Sequence, residues 1–169
     1  MPESPPAFAI RSAAPQDMTL AATLFREYAG GIGIDLSYQG FEAELASLPG
    51  AYAPPRGVIL LAERNGDTIG CVAVRSFGDG GICEMKRLHM RNTARGGGLG
   101  RALAQAAIAA AQKMGYATMR LDTLPSMTAA QSLYRALGFR EIAAYYPTPV
   151  AGTVFMEKKT GAKFVYLPY

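Results

Sequence analysis

Tryptophan is absent, histidine occurs once, at His89, and cysteine twice, at Cys71 and Cys83. Two cysteines make neither a disulfide scaffold nor a four-cysteine zinc site. One imidazole beside them falls short of the ligand cluster a transition metal needs, so no metal is expected. Both thiols sit in strand-like runs and read as reduced, small core residues. Long apolar runs are missing too. The longest, Ala102 to Gln112, is bounded by Arg101 and Lys113 and is well short of the roughly 20 residues of a bilayer span. Before Arg11 the chain carries no basic residue and no long apolar block, so it does not read as starting with a secretory leader. The expectation is a cytoplasmic protein with no membrane attachment.

What is present describes an ordinary globule. The chain has 169 residues, half of them hydrophobic and 18% charged, which is too apolar for intrinsic disorder and near the size of one domain. The net charge of +4 and the isoelectric point near 9.2 suit an anionic ligand as well as nucleic acid. Aromatic and basic residues do not interleave as a single-strand platform requires, and no nucleic-acid partner is expected. Lys86, Arg87, Arg91, Arg95 and Arg101 crowd the middle of the chain, where the most informative glycines also fall.

Periodicity supplies the elements. A weak alternation through Phe8, Ile10 and Ser12 predicts a strand. Asp17 is placed to cap a helix bearing Met18, Ala21, Leu24, Phe25 and Tyr28, with Gly30-Gly31 as its end and a loop from there to Gln39. A second amphipathic stretch covers Phe41 to Leu48. Val58 to Ala62 and Ile69 to Val74 flank Asn65-Gly66, a strong hairpin signal. Gly78 to Gly81 reverses the chain again before a strand from Ile82 to Met90, completing an antiparallel meander. Leu99, Leu103, Ala106, Ala110 and Met114 predict a helix stopped by Gly115. A strand from Thr118 to Thr123, a helix from about Thr128 to Leu137, and strands at Arg140 to Ala144 and Val154 to Lys158 follow. A helical crossover joins parallel strands, so the fold class is α/β (α+β) with a mixed, mostly antiparallel sheet of about six to seven strands. Thr160 to Tyr169 has no assignment.

Between strand and helix stands Arg95-Gly96-Gly97-Gly98-Leu99-Gly100-Arg101. Glycines let backbone N–H groups approach an oxyanion closely, and a helix N-terminus adds partial positive charge, so this loop suits a phosphate or pyrophosphate. A flexible linker that merely caps a helix is the plainer alternative. The Walker pattern fails, because Gly100-Arg101-Ala102 offers no hydroxyl for magnesium. The dinucleotide pattern fits poorly, although Asp122 lies at the distance of a ribose-binding acid.

The pattern Arg/Gln-x-x-Gly-x-Gly/Ala does fit, as Arg95 to Gly100, and it resembles motif A of the GNAT superfamily of acetyl-CoA-dependent N-acetyltransferases. The likeness extends upstream to Glu84-Met85-Lys86-Arg87-Leu88-His89-Met90 and downstream to Ala130, Tyr134, Gly138 and Phe139, and the order of elements agrees from about residue 8 to 159. It implies an N-acetyltransferase domain over 8–159 between an N-terminal tail, 1–7, and a C-terminal tail, 160–169. It also implies flanking helices and a pair of parallel strands, Glu84 to Met90 and Thr118 to Thr123, that splay apart around acetyl-CoA.

The residue roles follow from the same resemblance. Leu88, His89 and Met90 line the cofactor, with backbone groups of Leu88 and Met90 pairing to its pantetheine. Arg95, Gly96, Gly97, Gly98, Leu99, Gly100 and Arg101 surround the pyrophosphate. The N–H of Leu88 at a strand bulge is the oxyanion donor, and Tyr134, which also meets the cofactor, protonates the leaving thiolate. Glu84 is the candidate base, with a structural ion pair to Lys86 or an arginine as the alternative and a water relay as another. His89 is a weaker candidate, since alternation turns it away from the side Leu88 faces. Met127 stands where many members have asparagine, which puts a cofactor contact there in doubt. The acceptor is bounded by Gly30 to Gln39, the Tyr52 region and Tyr145 to Pro149. An amino acid, a polyamine, an aminoglycoside or a protein N-terminus all fit as the amine. A non-catalytic acyl-CoA-binding domain is the second reading, against which Tyr134 argues, and a homodimer is left open.

Overall fold

The computed structural model describes residues 8–78, 80–94 and 96–162. Seven strands and four α-helices follow the order β1 (Ala9–Ser12), α1 (Met18–Ile32), α2 (Phe41–Ala46), β2 (Val58–Arg64), β3 (Asp67–Ser76), β4 (Ile82–Met90), α3 (Leu99–Lys113), β5 (Thr118–Thr123), α4 (Thr128–Ala136), β6 (Arg140–Ile142) and β7 (Val154–Lys159). They build one mixed sheet in the order β1-β2-β3-β4-β5-β7-β6, in which only β4 and β5 run parallel. No helix among the described residues is long and apolar enough to cross a membrane.

Both faces of the sheet are covered, which explains why Val58 to Ala62 is apolar without alternation. Leu60 and Ala62 join a core with Val72, Leu103, Ala107 and Met119 under α3 and α4. Ile59 and Leu61 face the other way, into a core with Leu24, Phe25, Phe41 and Tyr52 under α1 and α2. Cys83 belongs to the first core and Cys71 to the second. Burial pushes both thiols up to about 12, which keeps them protonated.

Several element readings need correction. Helix α1 passes through Gly30-Gly31 to Ile32 and ends at Gly33, whose φ is +66°. The stretch after it is partly ordered as a 3-10 turn, Leu36–Gln39. Asp17 does not cap α1 through its side chain. It accepts the Ala14 N–H at 2.7 Å and pairs with Arg11, tying β1 to the start of α1. The buried stripe of α3 is Leu99, Leu103, Ala104, Ala107 and Ala111, rotated from the one the spacing suggested. Arg140 to Ile142 is shorter than expected. At the C-terminal end Thr160 still donates its N–H to Ala117 O at 3.0 Å. Residues 1–7 and 163–169 lie outside the described residues.

Candidate active site

The site begins where a ladder stops. Strands β4 and β5 pair only at Ile82↔Thr118, Cys83↔Met119 and Glu84↔Arg120; beyond Glu84 they diverge, as the resemblance required. On its other side β4 slips register against β3 between Cys71 and Ala73, and Arg87 adopts a φ of +61°. That bulge puts two consecutive side chains on one face. Lys86 Nζ and Arg87 Nη1 both donate to Gln39 Oε1, at 3.2 and 3.0 Å. Alternation resumes afterwards: Leu88 and Met90 pack toward α3, while the His89 ring lies 3.3 Å from Glu27 on α1.

A cleft of about 590 Å³ opens along the diverging lips, within the range of ligand pockets. One wall is Leu88, His89 and Met90; the far wall is α4 with Ala130, Leu133 and Tyr134; Gly96, Gly98, Leu99 and Gly100 close one end. Gly98 holds a φ of +77° as the residue before α3, and no side chain caps that helix. Its first-turn N–H groups therefore lack the usual side-chain partner at a helix start. Gly100 allows α3 to sit close against the end of β4, since a Cβ there would come within 3.0 Å of the Met90 methyl. Gly97 and Arg101 do not line the cleft, and Arg95 lies outside the described residues. The sequence reading missed Tyr28, placed Gly31 and Ile32 in an acceptor loop although they line this cleft from the end of α1, and doubted Met127, which lines it too.

A second, smaller opening of about 20 Å³ continues from the cleft. Tyr28, Leu88, Met127 and Tyr134 border both, and Gln39, Lys86, Asp122 and Thr123 add polar groups to the smaller one. The Tyr134 ring packs edge-on against Phe139 at 5.7 Å, which fixes its direction. Its hydroxyl has no hydrogen-bond partner among the described residues, and burial raises its pKa well above the ordinary phenol value. Asp122 accepts the Tyr146 hydroxyl at 2.6 Å and stands 3.7 Å from Lys86 Nζ.

Glu84 stands apart from the other candidates. It belongs to the paired end of β4, borders neither opening, and is 1% exposed. Arg75 donates twice to Oε1, at 3.0 and 2.9 Å, and the Tyr145 hydroxyl donates to Oε2 at 2.7 Å. Both oxygens are engaged, so the geometry fits the structural ion pair that was the alternative reading, with Arg75 as the partner. That partner lies on β3, and Tyr145 enters from the connection between β6 and β7, neither of which a motif reading brings to this position.

The Acetyltransferase (GNAT) family profile matches residues 19–139. The chain belongs to this family. It is 41% identical over 143 residues to an uncharacterized N-acetyltransferase of Schizosaccharomyces pombe, covering 84% of this chain and 88% of that one. A GNAT-family acetyltransferase from Staphylococcus aureus shares the fold with a TM-score of 0.76 at 19% identity, over 91% of this chain and 99% of that one. An N-acetyltransferase of Thermoplasma acidophilum, solved in complex with coenzyme A, superposes with a TM-score of 0.68 at 20% identity, over 90% and 98%. The protein is accordingly an acyltransferase of the GNAT type.

Proposed function

We propose that the enzyme transfers the acetyl group of acetyl-CoA to a primary amine of a small molecule by direct attack. The observation that carries this reading is the single cleft that runs from the uncapped start of α3, along the free lip of β4, to Tyr134. Backbone N–H groups from Gly96 to Arg101 would hold the pyrophosphate, with Arg101 on the exposed surface beside them and Arg95 as a further charge. Backbone groups of Leu88 and Met90 would pair with the pantetheine amides as an added strand does, His89 lying between them. Acetyl-CoA supplies an activated thioester whose carbonyl carbon accepts the amine.

Leu88, directly after the bulge, would offer its N–H to the carbonyl oxygen as that oxygen gains charge. Tyr134 would give its phenolic proton to the departing thiolate. Burial raises the phenol pKa, so Tyr134 carries its proton when the thiolate forms beside it. The acceptor would approach past Gln39 and the Tyr145-Tyr146 segment. Gln39 lines the smaller opening, the Tyr146 hydroxyl bonds Asp122 on its rim, the Tyr145 hydroxyl bonds Glu84, and Tyr52 borders a neighbouring cavity of about 230 Å³.

The test is thiol release from acetyl-CoA across a panel of free amino acids, polyamines, aminoglycosides and peptides with free N-termini. The expected result is turnover with at least one small amine. Turnover with peptides alone moves the acceptor to proteins. Tight acetyl-CoA binding with no turnover on any amine rejects catalysis in favour of a binding domain.

A further inference from the structure

Two steps beyond the last paired residues of β4 and β5, at equivalent positions on the two lips, stand Lys86 and Asp122. The Lys86 side chain is 5% exposed, yet its ammonium is poorly served. It donates one hydrogen bond, to Gln39 Oε1 at 3.2 Å, and the nearest carboxylate oxygen, Asp122 Oδ1, is 3.7 Å away. An ammonium has three donors. Beside it, Thr123 Oγ1, fully closed off from solvent, has no hydrogen-bond partner among the described residues. The Tyr134 hydroxyl on the facing helix is unpartnered as well. These groups surround an opening of about 20 Å³, which is the size of one water molecule. Buried polar groups left open to one another in this way are satisfied by something that enters.

We infer that Lys86 is the base that receives the proton of the attacking amine, through a water held against Thr123, with Gln39 and Asp122 positioning the Lys86 nitrogen. This rests on the acetyl-transfer reading above. Neutral Lys86 takes a proton from the water as the water takes one from the substrate ammonium. The freed lone pair forms the bond from nitrogen to the thioester carbonyl carbon. The carbon–sulfur bond breaks, and the thiolate takes the Tyr134 proton. The remaining excess proton on the new amide nitrogen returns to Tyr134 by way of solvent.

The electrostatic setting favours this role. Burial holds the Lys86 pKa below its ordinary value, Asp122 on β5 pulls it up, Arg87 on the same strand pushes it down, Glu84 raises it and Arg75 on β3 lowers it. Glu44 on α2 acts from the far side through its pair with Arg87. Tyr28 on α1, Tyr134 on α4 and Tyr146 are the phenols facing the pair, all held protonated chiefly by burial. Lys86 thus loses its proton at a lower pH than a solvated lysine, and the incoming ammonium, a like charge, favours the neutral form further.

The decisive variants are Lys86→Arg and Asp122→Asn, assayed with acetyl-CoA and the best acceptor of the amine panel across pH. Arginine keeps donors toward Gln39 and Asp122 but stays charged in the working range, so it accepts no proton. Lys86→Arg is expected to lower kcat by about 100-fold or more, with acetyl-CoA affinity held within roughly twofold. Asp122→Asn removes the group that raises the Lys86 pKa, so the rising limb of the kcat profile should move to lower pH. Near-normal turnover of Lys86→Arg, or an Asp122→Asn limb that is unmoved, abolished or shifted upward, overturns the assignment while leaving acetyl transfer intact. Wild-type protein that binds acetyl-CoA but acetylates none of the amines overturns both. A measurement free of any variant's folding is the titration of lysine 13Cε resonances in the wild-type protein. A Lys86 signal titrating below those of the surface lysines supports the role, and one titrating with them overturns it.

Discussion

Tyr134 and Glu84 were both legible as candidates from motif position, and the structure separates them by what surrounds each. Tyr134 is buried with an unpartnered hydroxyl at the junction of the two openings. Removing that hydroxyl costs no internal hydrogen bond, so Tyr134→Phe should fold normally and bind acetyl-CoA with unchanged affinity. Its kcat should drop by about 100-fold or more; a rate near that of wild type in stopped-flow thiol detection would remove Tyr134 from the mechanism. Glu84 is buried with both oxygens engaged. Glu84→Ala leaves the partly exposed Arg75 and the Tyr145 hydroxyl without their acceptor, a loss of about 1–3 kcal/mol in urea unfolding. Glu84→Gln should leave the pH profile where it was, and a displaced limb would restore Glu84 as base. The difference was unreadable from sequence because Tyr145, which closes off the second oxygen, is 61 positions away. Lys86 was read only as one of a basic cluster and a partner for Glu84. A lysine in a basic stretch reads as a solvated charge, and only the bulge at Arg87 explains why Lys86 and Arg87 turn inward together.

At the scale of elements, the Asn65-Gly66 hairpin, the strand–glycine–helix unit of β4 and α3, and the parallel return through β5 were all visible in the chain, since each depends on residues close in sequence. The end of α1 was not. A glycine pair is a weak stop when nothing else breaks the helix, and a Cβ at Gly30 or Gly31 would meet nothing within 4 Å, so the helix continues to the residue that takes a left-handed conformation. Gly98, also left-handed, is different in kind. Gly98→Asp would strain the backbone and set a carboxylate beside the N–H groups of α3, and acetyl-CoA affinity by titration calorimetry should fall by tenfold or more, about 1.4 kcal/mol. Close packing at Gly70 gives a second outcome. A Cβ there would lie 2.8 Å from His89 O and 3.1 Å from Leu103, so Gly70→Ala should lower stability by about 1–3 kcal/mol in chemical unfolding. The Arg11–Asp17 tie responds to acid. Its hydrogen bonds to Arg11 and the Ala14 N–H hold the Asp17 carboxyl down at about 2. The contribution of this carboxylate to stability is complete above the ordinary aspartate value near 3.9 and disappears as pH falls toward 2. Asp17→Asn should therefore narrow the difference in melting temperature between pH 6 and pH 2.

At the scale of the whole molecule the sheet is two blocks, β1 to β4 and β5 with β7 and β6, joined by three residue pairs. Each block is internally well laddered. The seam between them is short, and the cores on either face must hold it closed where backbone bonds do not. A ligand lying along both lips would serve as the missing stitch. Acetyl-CoA at 100 times its dissociation constant should add about 2.7 kcal/mol of apparent stability, which for a chain of this size is a rise of roughly 5–10 °C in melting temperature. The distribution of that gain is the more telling quantity. Amide exchange should slow most at Met85 to Met90 and Leu121 to Thr123, the two fraying margins, and least in the β2–β3 hairpin. Since coenzyme A leaves with the same pantetheine arm that acetyl-CoA brought, in the proposed binding mode the two halves would stay sewn together until product departs, and release of the spent thiol would be the moment at which the enzyme is mechanically loosest.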